Sequence, residues 1–155
     1  MADGARVNNA SLTLSGGKVT TQGVNSAAVN GARAAQLTLN GSATTPLTLT
    51  TTGAQSSGVL LADGTLSASN LAISSSGNEA KGVVLAYSLS DSSQRVMASL
   101  SDSTISVLGS GYQGALMLGN GELTGNDLTL VTADFNDGIN PVSYTHLRAH
   151  ETRGN

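Results

Sequence analysis

Cysteine and tryptophan are absent from these 155 residues, phenylalanine occurs once and tyrosine three times. The lack of cysteine excludes a disulfide framework and any thiolate-ligated metal site. With so few aromatic rings, a core must be built from aliphatic side chains. Lysine occurs only as Lys18 and Lys81, charged residues are 11% of the chain, and the formal net charge is −3. Ordinary globular chains carry about a quarter charged residues. So few cations exclude a nucleic-acid binder that works by neutralising phosphates. No run of like charge exists to steer a partner from a distance. No apolar run approaches the roughly 18 residues of a membrane span, so direct membrane insertion is not expected. The opening Met1-Ala2-Asp3-Gly4-Ala5-Arg6 has neither the basic nor the apolar region of a signal peptide, and any export signal is expected to lie outside this sequence.

What the chain does have is 38 serines and threonines, 19 glycines and a hydrophobic share of 39%. With mean hydropathy near zero, at +0.02, this is the composition of a packed fold and not of a disordered tail. No window carries apolar residues at helical spacing over three turns. Short alternating patterns recur instead: Leu12-Thr13-Leu14, Leu37-Thr38-Leu39, Leu47-Thr48-Leu49, Leu71-Ala72-Ile73, Ile105-Ser106-Val107 and Leu128-Thr129-Leu130. At strand period two, the outer pair of each points to one face.

A second motif follows at nearly fixed distance: Gly23-Val24, Gly58-Val59, Gly82-Val83, Gly114-Ala115 and Gly138-Ile139 trail Leu12, Leu47, Leu71, Ile105 and Leu128 by 11, 11, 11, 9 and 10 residues. That constancy marks an internal repeat. The unit is about 24 residues, and alternate copies gain roughly ten more, around Asn30–Pro46 and Leu89–Ser103. Turn formers separate a further apolar position from each strand, as in Ser67 to Asn70, Ser101 to Thr104 and Thr124 to Asp127. A unit this short cannot bury its apolar face alone and has to stack on its neighbours. Stacking predicts one inward column of Val24, Val59, Val83, Ala115 and Ile139, and another of Leu47, Leu71, Ile105 and Leu128. The expected fold is all-β, a right-handed parallel β-helix (β-solenoid) of about five coils, truncated at both ends.

Residues 142–155 change character abruptly. They hold both histidines, His146 and His150, and two of the seven basic residues. Val142 to Thr152 resembles a translated sequencing adapter, residue for residue. The expected organisation is therefore a β-helix fragment over 1–141 and an artefactual, disordered tail over 142–155. The exclusion removes a tempting zinc reading of His146, His150 and Glu151.

Chemistry finds little foothold elsewhere. The acidic candidates for sugar hydrolysis are Asp63, Asp91, Asp102, Asp127, Asp134, Asp137, Glu79 and Glu122, and most adjoin Gly, Asn or Ser in turns. Asp134 to Asn140 imitates a calcium loop, but its glycine is one position early and the twelfth position is Thr145. Gly16-Gly17-Lys18-Val19 lacks the hydroxyl and spacing of a phosphate loop. Asn9-Ala10-Ser11 and Asn40-Gly41-Ser42 match the short glycan-acceptor pattern. Tyr87, Tyr112 and Phe135 are too few for a stacking platform. No catalytic, cofactor-binding or metal-binding residue is expected, and no cofactor.

With Leu-x-Leu strands, Gly-Val strand starts, Asn/Ser/Asp corners and no cysteine, residues 1–141 resemble the passenger region of bacterial autotransporters, the pertactin-like parallel β-helices of type V secretion. The resemblance implies a non-enzymatic rigid stalk or adhesin-type scaffold, displayed at the cell surface or secreted via the outer membrane. It implies host-cell or neighbouring-cell surface receptors as partners, and the spacing offers the two long insertions, Asn30–Pro46 and Leu89–Ser103, as the contact loops. Self-association through exposed coil ends is a further expectation. Zero cysteines suits passage through an oxidising periplasm, where a premature disulfide would jam an unfolded chain. The alternatives are a pectin-lyase-like carbohydrate-active β-helix and a phage or filament structural module.

Overall fold

A computed structural model of the chain describes residues 2–86, 95–111, 114–133, 137–141 and 145–154, the last two stretches as backbone only. The described residues form strands and no helix. The chain visits three strand positions in rotation. The first round is β1 (Ala5–Asn8), β2 (Ser11–Ser15) and β3 (Lys18–Thr21). The second is β4 (Ala27–Ala32), β5 (Ala35–Asn40) and β6 (Leu47–Thr51). The third is β7 (Ser57–Leu61), β8 (Gly64–Ser69) and β9 (Leu71–Ser75). The fourth is β10 (Lys81–Leu85) and β11 (Val96–Val107), the fifth β12 (Gly114–Leu118) and β13 (Gly121–Thr132), followed by β14 (Asp137–Pro141) and β15 (Thr145–Gly154).

Every pairing is parallel and joins a strand to its counterpart one round on. The first position yields a six-stranded sheet, β1-β4-β7-β10-β12-β14. The other two merge into one curled sheet, because β11 and β13 stay paired through a corner that interrupts the earlier rounds. The expectation of an all-β chain of stacked parallel strands holds. Residues 145–154, set apart in the sequence, lie as β15 on β13 with two register shifts, between Gly125 and Leu128 and between Leu128 and Thr129.

The register fixes the repeat. Val29, Val59, Val83, Leu116 and Ile139 are successive partners, so the rounds measure 30, 24, 33 and 23 residues from one to the next. This corrects the first expected column in two places. Val24 is 56% exposed and Val29 holds its place, while Leu116 rather than Ala115 partners Val83. The leucine column is corrected as well. Leu47 pairs with Leu71, but the next member is Ser103, which pairs with Leu128; Ile105 lies two residues on, between Ile73 and Leu130. Ser103 sits among leucines at 3% exposure because its hydroxyl is satisfied there. It accepts from the Leu71 N–H at 3.0 Å and donates to the Ser101 carbonyl at 2.7 Å.

The extra residues are also more local than the spacing predicts. In the second round, β4 and β5 are joined by the Arg33–Ala34 corner, which has a two-residue counterpart, Ala62–Asp63, in the third round, so the extra length lies in Gly41–Pro46. In the fourth, Val96–Ser103 belongs to β11, and residues 87–94 lie outside the described residues.

Alternation explains the core. Leu37, Leu39, Leu47, Leu49, Leu61, Leu71, Ile73, Leu85, Ile105 and Leu116 are fully buried. Burying each such side chain contributes about 1.5–3 kcal/mol. Val7, Leu12, Leu14 and Val19 of the first round are only partly buried, since nothing in the structure packs beneath them. Two of the three corners in each round show how the chain turns. Asn70, Asp102 and Asp127 take left-handed φ values of 52°, 50° and 53° at equivalent positions, as short polar side chains can. A second corner carries stacked glycines: a Cβ at Gly53 would strike the Gly23 carbonyl, one at Gly77 that of Gly53, and one at Gly109 that of Gly77. Gly23 therefore belongs to this corner stack and does not open a strand.

Two predictions follow from the stack. Gly77→Ala should lower stability by about 1–3 kcal/mol through overpacking against Gly53, whereas Ser76→Ala, at the exposed neighbour, should fall within about 0.5 kcal/mol of the parent in urea titrations. The buried hydroxyls of Thr21 and Thr51 should respond with opposite sign. Thr21 Oγ1 has no hydrogen-bond partner, while Thr51 Oγ1 donates to Ser75 Oγ at 3.0 Å. Thr21→Val is expected to stabilise by about 1 kcal/mol and Thr51→Val to cost about the same, read from unfolding midpoints.

Candidate functional site

The glycine corner borders a concavity with polar and apolar walls. After each glycine the chain enters a left-handed residue, Asn25, Gln55 or Glu79, with φ of 55°, 57° and 54°. Backbone bonds then tie the corners together: the Asn25 N–H donates to the Ala54 carbonyl at 2.9 Å and the Gln55 N–H to the Asn78 carbonyl at 2.7 Å. The side chains of these residues stack on the outside as a polar ladder. Gln55 Nε2 donates to Glu79 Oε2 at 2.8 Å, and Ser110 Oγ is 2.9 Å from Asn78 Oδ1.

Beside the ladder lies a groove of about 330 Å³, lined by Asn25, Ser26, Gln55, Ser57, Leu60, Lys81 and Val84. Strand register brings its walls together. Ser57 and Lys81 are direct partners on β7 and β10, and so are Leu60 and Val84. Gly58 lets the strand turn inward immediately after Ser57, because a Cβ there would meet Ile73 Cγ2 in the core. The groove thus has an apolar floor, an amide rim and one cation.

Among the described residues that cation is incompletely matched. Lys81 Nζ donates to the Glu79 backbone carbonyl at 3.4 Å, a long contact. Burial pushes its pKa below the ordinary lysine value of 10.5, and the Glu79 carboxylate acts in the opposite direction without cancelling the effect. The Glu79 carboxylate itself is engaged by the Gln55 amide.

The sequence candidates are scattered by comparison. Asp63 acts as a strut at a different corner, accepting from the Ala34 N–H at 2.9 Å and the Arg95 N–H at 3.3 Å, one round on each side. Asp102 and Asp127 occupy equivalent corner positions in adjacent rounds, flanked by the pairs Ser101–Asn126 and Ser103–Leu128. Glu122 is on β13 beside Met97. Asp137 begins β14. Asp91, Asp134, Tyr87, Tyr112 and Phe135 lie outside the described residues, and so does half of the calcium-like loop. His146, His150 and Glu151 are on β15, described as backbone only. Gly16 and Gly17 form an open corner with φ of 72° and 91°. Asn9 is a left-handed corner residue, and Asn40 Oδ1 accepts from Ser69 Oγ at 3.1 Å. Among the described residues, no three His, Cys, Asp or Glu side chains converge on a possible metal position.

The groove has no counterpart among the sequence candidates. Its signal was the recurrence of glycine, any residue, then Asn, Gln or Glu at Gly23, Gly53 and Gly77. Comparison with family models, curated proteins and solved structures finds no match to this chain.

Lys81 supplies a pH prediction. Its pKa is lower folded than unfolded, so between the folded value and 10.5 the unfolded chain binds more protons and stability rises with pH. Below that window both states are protonated and the burial cost is present in full. Lys81→Met should therefore be more stable than the parent near neutral pH, with the difference shrinking as pH approaches 10.5, as measured by urea midpoints across that range.

Proposed function

We propose that residues 1–141 are a piece of a right-handed parallel β-helix from a surface-displayed bacterial protein of the autotransporter-passenger kind, acting as a non-enzymatic stalk or adhesin-type scaffold. The observation that carries this reading is the in-register stack, in which each strand pairs with its counterpart 23 to 33 residues later. Such a stack extends by repetition and presents the same outward positions at intervals of about 4.8 Å. Right-handedness agrees with the near-universal hand of parallel crossovers within a sheet. An aliphatic core with little charge outside it suits a rod whose work is length and display.

The scattered carboxylates favour scaffold over hydrolase, because sugar cleavage needs two acids flanking one bond. Asp63 lies between β7 and β8, Glu79 between β9 and β10, and Glu122 on β13, while the stacked pair Asp102 and Asp127 is used to turn the chain. Recognition of host-cell or neighbouring-cell receptors then belongs to corners, of which Gly41–Pro46 is the longest described. Among the described residues, strands β1, β2 and β3 each pair on one edge only, and self-association of this fragment through open coil edges is part of the same proposal. Residues 142–155 are read as translated adapter, foreign to the rod.

Two measurements test the proposal. Limited proteolysis with mass spectrometry should remove the region after Pro141 and spare the stack before it. Incubation with polygalacturonate and calcium should release no new reducing or unsaturated ends. Turnover there, abolished by Asp102→Asn or Asp127→Asn, would replace the stalk with an enzyme.

A further inference from the structure

We propose that the groove beside the glycine corner is a binding site for a carboxylate-bearing sugar, with Lys81 receiving the acid group and the Asn25–Gln55 rim receiving the hydroxyls. Three observations converge on this ligand. The groove holds one ammonium whose only described hydrogen bond is the 3.4 Å contact to the Glu79 backbone carbonyl. The nearest carboxylate, on Glu79, is turned to the Gln55 amide at 2.8 Å. The ammonium therefore has donors to offer a ligand acceptor, and a carboxylate satisfies them most strongly.

The remaining lining narrows the class. Gln55 spends its Nε2 on Glu79 and keeps its Oε1 as an acceptor, and Asn25 stands exposed at the same rim. Leu60 and Val84 supply an apolar floor. Amide groups around an apolar strip fit the mixed faces of a pyranose better than they fit a fatty acid, which would leave the rim unpaired, or a phosphate, which one lysine and no arginine would hold poorly. The volume of about 330 Å³ lies at the small end for ligand pockets, the size of one or two sugar rings. Glu79 has a second role here. Its charge lies near Lys81 and opposes an incoming anion, so it sets the affinity of the site from outside the contact.

This site does not depend on the stalk reading: a rod without a ligand and a ligand site on some other kind of protein are separately visible outcomes. The test is a titration of the 155-residue chain with glucuronic acid and with glucose, followed by heteronuclear NMR at neutral pH. Glucuronic acid should shift the amide signals of Gln55, Ser57 and Lys81, and glucose should shift them at least about tenfold more weakly, the worth of a charge-assisted bond over a neutral one. Lys81→Gln should abolish that preference while leaving the spectrum folded. Glu79→Gln should strengthen glucuronic acid binding. Equal binding of both sugars, an acid preference that survives Lys81→Gln, or shifts centred on another corner would each overturn the assignment. Absence of any shift at saturating sugar would overturn it too.

Discussion

Vertical register governs this molecule. Each round of strands hydrogen-bonds to the rounds beside it, so a side chain is judged by the residue at the same position one round away as much as by its chain neighbours. Aliphatic residues above aliphatic residues exclude water, and hydroxyls above hydroxyls can satisfy each other, as Thr51 does with Ser75. A parallel ladder in isolation would leave its inward face wet. Packing the three strand positions against one shared core dries that face, and each inner round then serves as both floor and ceiling. The partly buried Val7, Leu12, Leu14 and Val19 show what a round lacks when it has a neighbour on one side only.

The corners answer to the same requirement by other means. At the glycine corner the backbone itself is the packing surface, since Gly53, Gly77 and Gly109 each bring the Cα against the carbonyl of the preceding corner. No side chain fits between them, so the amide and carboxylate groups of the following residues are pushed to the exterior. The polar ladder and the groove beside it are by-products of that tight stacking. At the Asn70, Asp102 and Asp127 corner the demand is conformational, a left-handed residue that turns the chain while the strands on either side continue. The bland use of these acids as turn formers and their separation from one another are the same fact.

How much could be read beforehand differed by level. The Leu-x-Leu pattern, the 24-residue unit, its lengthening in alternate copies and the parallel all-β class were legible, because they depend on periodicity that survives in a single chain. Register was not. Ser103 stands where leucine stands in three other rounds, and its fitness for that place comes from the Leu71 N–H and the Ser101 carbonyl, neither visible in a residue alphabet. Gly23 was ambiguous for a related reason: two stacks use glycine for different purposes, and the letter alone does not say which. The groove was least legible of all. Its walls come from positions 25, 55 and 81, and only the round length brings them together.

The six residues of Gly41–Pro46 carry a consequence for how such a chain can change. They lie wholly at a bend, tied back on themselves by the Ser42 N–H to the Thr45 carbonyl at 3.0 Å, and the strands on both sides keep step with the rounds above and below. Length added at that bend is invisible to the ladder, whereas a single residue added inside β5 or β6 would exchange inner and outer faces for the rest of the strand. Insertions and deletions can therefore accumulate there almost freely while the strands drift only by substitution. An engineer seeking a place to graft a foreign peptide would be drawn to the spot where added length disturbs no strand.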